Sequence, residues 1–336
     1  MSQFRKIVAV PSLYGIVSAL VLFGVFAASL KYGSVEISWQ SILDYLSGRG
    51  EVLSTDVMII SNLRVPRALC AMLAGGAFAV SGVILQGVLR NPLASPEITG
   101  VSAGGVVSGL IAVLYWQTGA NATLCCIFAG AMITAVCVYL LAWKNGLDPL
   151  RLILAGVAFS SLCGAASSAM MYLESDKASQ ILSFTIGSLT SRSMDDLSAV
   201  LPFAFTGFVL SFFMAKQLDV LQLGDDAARS LGVNVELSRS LLLLSSVLLA
   251  ASAVSVAGLM GFVGLVIPHI VRLVSRTSNH RKLILRSAVA GAIFVTLCDT
   301  VGKTIAVPAE IPAGVLTSLI GPPFFLWLLL KKRRMA

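Results

Sequence analysis

Residues 240–271 read SLLLLSSVLLAASAVSVAGLMGFVGLVIPHIV, and from Ser240 to Val271 there is no Asp, Glu, Lys or Arg. A helix crossing hydrocarbon needs about 20 mostly apolar residues, so this run is too long for one crossing and too short for two complete ones. Gly258, Gly261, Gly264 and Pro268 punctuate its second half, and irregular backbone is tolerated at membrane depth only where protein or a water-lined path covers it. The pattern predicts a full helix ending near Ala257, an irregular turn, and a short helix around Leu265 to Leu273.

Working outward from this stretch, uncharged runs cover Ile7–Leu30, Ala68–Leu89, Ile98–Thr118, Ala122–Trp143, Leu152–Leu173, Leu197–Ala215 and Ile311–Leu330. The run from Leu283 to Val307 carries Arg286 near its start and Asp299 and Lys303 near its end, so its charges reach the interfaces while its centre stays apolar. The expectation is an all-α, polytopic bundle of about ten transmembrane helices forming one domain over residues 1–336. Composition agrees: 57% of the 336 residues are hydrophobic and 12% charged, with a mean hydropathy of +0.91, against about 25% charged residues in soluble domains.

Ten crossings put both termini on one side. Assigning Lys and Arg to alternate loops gives 17 on one side and 7 on the other, and the richer side is cytoplasmic by the positive-inside rule. The net charge of +8 therefore reports topology; the basic residues form no aromatic-interleaved patch for nucleic acid. The first run, flanked by Arg5 and Lys6, is too long for a cleaved signal and is expected to stay as a span. The six cysteines, Cys70, Cys125, Cys126, Cys137, Cys163 and Cys298, fall in apolar runs without metal-ligand spacing and read as small core residues.

No span carries an ionisable residue at its centre, where an ion-coupled carrier binds its coupling ion. Small neutral residues occupy those places, among them Ser102, Ser108, Ser160, Ser161, Ser167 and Ser168, with Gly100/Gly104 and Gly105/Gly109 at the spacing of closely packed helices. Val301-Gly302-Lys303-Thr304 looks like the end of a phosphate loop, but Leu297 stands where its first glycine belongs and the segment ends a membrane helix. The two histidines, His269 and His280, complete no metal or general-base set.

Four loop segments carry more information: RVPR at 64–67, RNPLASPE at 90–97, DPLRLILAGVA at 148–158 and LGDDAARSLGV at 223–233. In the last, Asp225 is suited to cap a short helix and Gly232 to end it, with Ala228 and Leu231 as a small apolar face on the cytoplasmic surface. Together with GFVGLVIPHIVR at 261–272, EIPAGV at 310–315 and GPPF at 321–324, these segments closely resemble the FecCD-type permeases, the membrane subunits of type II ABC importers for ferric siderophores, haem and cobalamin. The resemblance runs from about the second span to the end.

That resemblance implies an import permease of the bacterial plasma membrane with no cofactor or catalysis of its own. It implies a second permease subunit, identical or homologous, two cytoplasmic ATPases that bind ATP and Mg, and an extracytoplasmic substrate-binding protein. Carried over residue by residue, Arg64, Arg67 and Lys303 correspond to a positive pocket that accepts a carboxylate of the binding protein. Lys303 stands where the family often has Arg, exchanging a planar fork for a point charge; its second reading is an i,i+4 pair with Asp299. Asn91 and Leu93 resemble one cytoplasmic gate and Pro149 and Leu150 the other, while Gly224, Asp225, Ala228, Arg229, Leu231 and Gly232 resemble the ATPase-coupling element. NPLASPE is closer to siderophore-type relatives than to the cobalamin branch, so a ferric siderophore is the favoured cargo, with haem or cobalamin next. The competing class is an ion-coupled secondary transporter.

Overall fold

The computed structural model describes residues 11–48, 55–97, 99–143, 149–174, 176 and 185–333. The described residues are predominantly helical. Helix α1 (Pro11–Lys31) is followed by a short surface helix α2 (Trp39–Leu46). Then α3 (Thr55–Ile59) runs through a π-turn (Ile60–Arg64) into α4 (Val65–Val88). Next come α5 (Val101–Leu114), α6 (Ala120–Ala142), α7 (Pro149–Leu173) and α8 (Met194–Phe213). Two short inner helices, α9 (Ala215–Leu221) and α10 (Asp225–Ser230), lead to α11 (Val235–Ala257) and α12 (Val263–Ser275). The chain finishes with α13 (His280–Ile305) and α14 (Ala313–Arg333).

Seven of these segments are long and apolar enough to cross a membrane, and α5, α12 and α14 add three shorter apolar helices. Ten apolar helices thus overlap the ten expected runs, seven of them of crossing length. The Ser240–Val271 stretch divides as its glycines dictate. Helix α11 stops at Ala257, where Gly258 turns to a φ of 69° that side chains resist, and α12 restarts after Phe262 at a φ of 66°. Arg5, Lys6 and the first residues of the Ile7–Leu30 run lie outside the described residues.

Burial orders the bundle. The crossings containing α4 and α11 are 83% and 72% buried, whereas those of α1 and α7 are 11% and 17% buried. The first pair is thus central and the second peripheral. Lipid tails give helices no hydrophobic reason to associate, so packing rests on close approach. A Cβ on Gly75 of α4 would sit 2.2 Å from the Gly291 carbonyl oxygen of α13, and one on Gly82 only 1.8 Å from that of Gly264 in α12. Cys70 and Cys298 are core residues as expected, but Cys125 is exposed on α6, because that helix turns much of its surface outward.

The second crossing begins earlier than its apolar run. Pro66 has no N–H for the Asn62 carbonyl, and the helix absorbs this with a π-turn in which the Val65 N–H reaches back to Ile60 O. The extra residue in the turn directs Arg64 into the protein.

Candidate functional site

At the outer end of the bundle, Arg64, Arg67 and Lys303 line one recess of about 260 Å³ with Thr190, Ser191 and Glu310. Helix α4 and the turn before it supply the arginines, and the last turn of α13 supplies the lysine. Each cation has an intrachain partner. Arg64 is buried, and its Nη1 donates to the Leu30 and Lys31 carbonyls at 2.6 Å each while Nη2 donates to Val35 O. It thereby satisfies carbonyls that the end of α1 leaves free. Arg67 holds Asp299 through Nε and Nη2 at 2.9–3.0 Å and Glu310 through Nη1 at 2.7 Å.

The i,i+4 pair of Lys303 with Asp299 does not form. Lys303 Nζ donates to the Ser29 carbonyl at 2.7 Å and hydroxyl at 3.1 Å, because the planar Arg67 fork already fits the Asp299 carboxylate. Arg64, Arg67 and Lys303 are thus set against Asp299, Glu310 and, acting on Arg64, Asp56.

At the inner end, α10 stands as a separate short helix. Its N-cap is Gly224, at a φ of 113°, rather than Asp225. Asp225 is the first helical residue, and its carboxylate is taken by Arg90 from the end of α4 and by Arg239 from α11, the latter at 2.6 Å. Burial opposes its charge, but the hydrogen bonds and charges of Arg239 and Arg90 outweigh this and hold the carboxyl below the ordinary carboxylate range. Gly232, at a φ of 79°, ends the helix as expected, with Val233 N–H returning to Ala228 O at 3.0 Å.

The expected apolar face of α10 is split. Ala228 is fully buried against the permease, while Leu231 is 63% exposed beside exposed Arg229. Leu231 is the C-cap, just beyond the last helical residue, and does not follow Ala228 into the protein; the exposed surface here includes Leu223, Arg229 and Leu231.

The turn after α4 links this helix to the predicted gate. Arg90 adopts a φ of 48° and donates through Nε to Leu221 O at 3.0 Å. Directly after it, the Asn91 carboxamide oxygen accepts the Leu93 N–H at 2.9 Å and leaves the Leu93 side chain 51% exposed. Pro149 opens α7, its side chain lying outside the described residues, and Leu150 in the same turn is 65% exposed.

Further along the turn, Glu97 accepts the Phe262 N–H at 2.9 Å, and its carbonyl accepts Ser160 Oγ at 3.1 Å. It lines a cavity of about 440 Å³ with Ser160, Ser167, Ser168 and Thr185. Of the small polar residues singled out in the spans, Ser108 instead bonds its own helix and Ser102 is buried elsewhere. Sequence reasoning gave no role to Arg90, Glu97 or Arg239. Arg90 and Glu97 stand in a quoted motif, but their partners lie 135 and 165 residues away.

The family model of the FecCD transport family matches residues 20–331. The chain belongs to the FecCD transport family. The chain is similar to the hemin transport system permease protein HmuU of Yersinia pestis, 37% identical over 94% of each chain. The Fe(3+)-citrate import system permease protein YfmE of Bacillus subtilis is 36% identical over 95% of each. Among solved structures, an inward-facing metal-chelate type ABC transporter superposes with a TM-score of 0.82 at 29% identity, covering 98% of this chain and 99% of that one. Membership makes the chain a multi-pass membrane permease of the ABC transporter class.

Proposed function

We propose that this chain is the permease subunit of an ATP-binding cassette importer that carries an iron chelate, with a ferric siderophore favoured, inward across the bacterial plasma membrane. The observation that carries this reading is α10: a short helix at the basic, cytoplasmic end, fastened by Arg90 and Arg239 through Asp225 and presenting Leu231 outward. Such a helix can transmit force only if something outside the membrane pushes on it. Two partner ATPases that bind ATP and Mg fill that role. The permease itself catalyses nothing, and a second permease subunit, most simply a copy, faces it.

The outer recess suits a binding protein that presents a carboxylate. Arg67 can exchange the partly exposed Glu310 for the incoming group while keeping the buried Asp299. The relatives' hemin and ferric citrate cargoes support an iron chelate as the substrate class, and the cavity that Ser160, Ser167 and Ser168 line together with Glu97 offers mostly small neutral groups to such a complex. Asn91, Leu93, Pro149 and Leu150 form the inner gates in this scheme.

Proteoliposomes holding the permease, its ATPase and its binding protein test the reading. They should accumulate ferric siderophore when ATP is supplied on the ATPase side, with an ionophore present. Uptake that collapses with the ionophore, or that runs on an ion gradient without ATP, would establish the ion-coupled alternative instead.

A further inference from the structure

Helix α2 shows three different faces. Ile42 is buried among Leu30, Ile37 and Ile60, and Tyr45 packs on the same cluster. Ser41 Oγ donates to Asp56 at 2.7 Å, fixing this side to α3. Trp39, Leu43 and Leu46, spaced i, i+4 and i+7, form a stripe that is 48%, 63% and 59% exposed. Gln40 is exposed and Asp44 half-buried on the remaining arc. Around the helix the order is therefore protein, apolar and open, then polar and open. A helix wholly in water has no use for the middle arc, and a helix inside the hydrocarbon has none for the last.

The depth of α2 is fixed by α1. Lys31 is the last residue of that crossing, and its Nζ lies 5.1 Å from the centre of the Trp39 ring and 5.3 Å from that of Tyr32. Trp39 thus sits level with the end of a membrane span, where indole rings are favoured by having an apolar body and a polar N–H. Helix α1 in turn exposes Ile16, Leu20 and Phe23, again at i, i+4 and i+7 and 57–66% exposed, along an apolar crossing of which only 11% is buried. The open stripe of α2 adds to that exposed apolar surface at the end of α1, where Leu30 packs on Ile42.

We propose that α2 lies in the plane of the outer bilayer interface and anchors that edge of the permease to lipid through Trp39, Leu43 and Leu46. The occupant of the stripe is the upper acyl region of the bilayer, with Lys31, paired to Glu36 at 3.8 Å, at headgroup level and Gln40 and Asp44 on the arc turned to water. This does not depend on which chelate is carried.

The test uses the full chain in lipid nanodiscs prepared with phospholipids brominated either near the glycerol end or near the chain terminus. The chain has four Trp, so the Trp39 signal is taken as the difference between the parent and Trp39→Phe. That difference should be blue-shifted from water and quenched at least about twofold more by shallow than by deep bromine, as insertion by about 5–10 Å requires. In Leu43→Asp, checked for unchanged elution on size exclusion, the shallow quenching should fall by about half or more, because the charge lifts the stripe out of lipid. A water-like, unquenched Trp39, stronger quenching by deep bromine, unchanged quenching in Leu43→Asp, or shielding that arises only when a binding protein is added would overturn the proposal.

Discussion

Arg67 closes a fork on Asp299, with Nε 3.0 and 2.9 Å from the two carboxylate oxygens and Nη2 2.9 Å from one of them. The pair joins α4 to α13 at the outer end, and Asp299 is fully buried there. A buried ion pair contributes little net stability, but losing one member strands the other charge. Asp299→Ala should therefore destabilise the fold by about 3–5 kcal/mol, read as a lower Tm in lipid nanodiscs. The double variant with Arg67→Met should recover much of the loss. Equal Tm values for Asp299→Ala and the parent would remove the pair from the accounts of stability.

Glu310 shares the same guanidinium from a more exposed position. If a binding protein's carboxylate replaces it, Glu310→Gln should strengthen docking and Arg67→Glu should abolish it, since a like charge facing a docking carboxylate costs several kcal/mol. Surface plasmon resonance against the cognate binding protein reads both. Identical affinities for the two variants and the parent would place the docking surface elsewhere.

The Asp225 carboxyl titrates below its ordinary value in the folded protein. A depressed carboxylate pKa contributes stability at pH above the unfolded-state value and loses it as pH falls through the lower, folded value. The α10 amides should accordingly stay protected from hydrogen exchange at neutral pH and lose protection in acid, below the usual carboxylate range. Asp225→Asn should show the acid behaviour at neutral pH. Protection that is independent of both would mean that Arg90 and Arg239 do not hold the helix in place.

On α10, the two small apolar residues should behave oppositely. Leu231→Asp alters an exposed side chain and should leave the permease folded while weakening capture of the ATPase in a pull-down and uncoupling its hydrolysis. Ala228→Asp buries a charge and should unfold α10 itself, visible as fast exchange with no ATPase present. Normal ATPase capture and transport by Leu231→Asp would refute the docking face.

Gly75 and Gly291 touch backbone to backbone, and neither has room for a Cβ. Gly291→Ala should cost about 1–3 kcal/mol by overpacking, measured as Tm. Gly24→Ala, in α1 with nothing within 4 Å of the added Cβ, should be neutral or stabilising, since Ala is the better helix former by up to about 1 kcal/mol.

The sequence by itself determined what depends on local pattern. Runs of apolar residues fix the crossings because each helix satisfies its own backbone and only its length must match the bilayer. The stop at Ala257 and the turn at Gly232 follow from glycines that alone take a left-handed backbone easily. Tertiary structure decided which charges meet. Lys303 and Asp299 have the spacing of a helix pair, yet Arg67, 232 residues away from Asp299, takes the carboxylate, because a fork fits two oxygens better than a point charge does. Ala228 and Leu231 look alike in the motif, but whether a side chain of a one-turn helix faces protein or water is set by how Arg90 and Arg239 hold Asp225. No local pattern carries that information, since both arginines arrive from other helices.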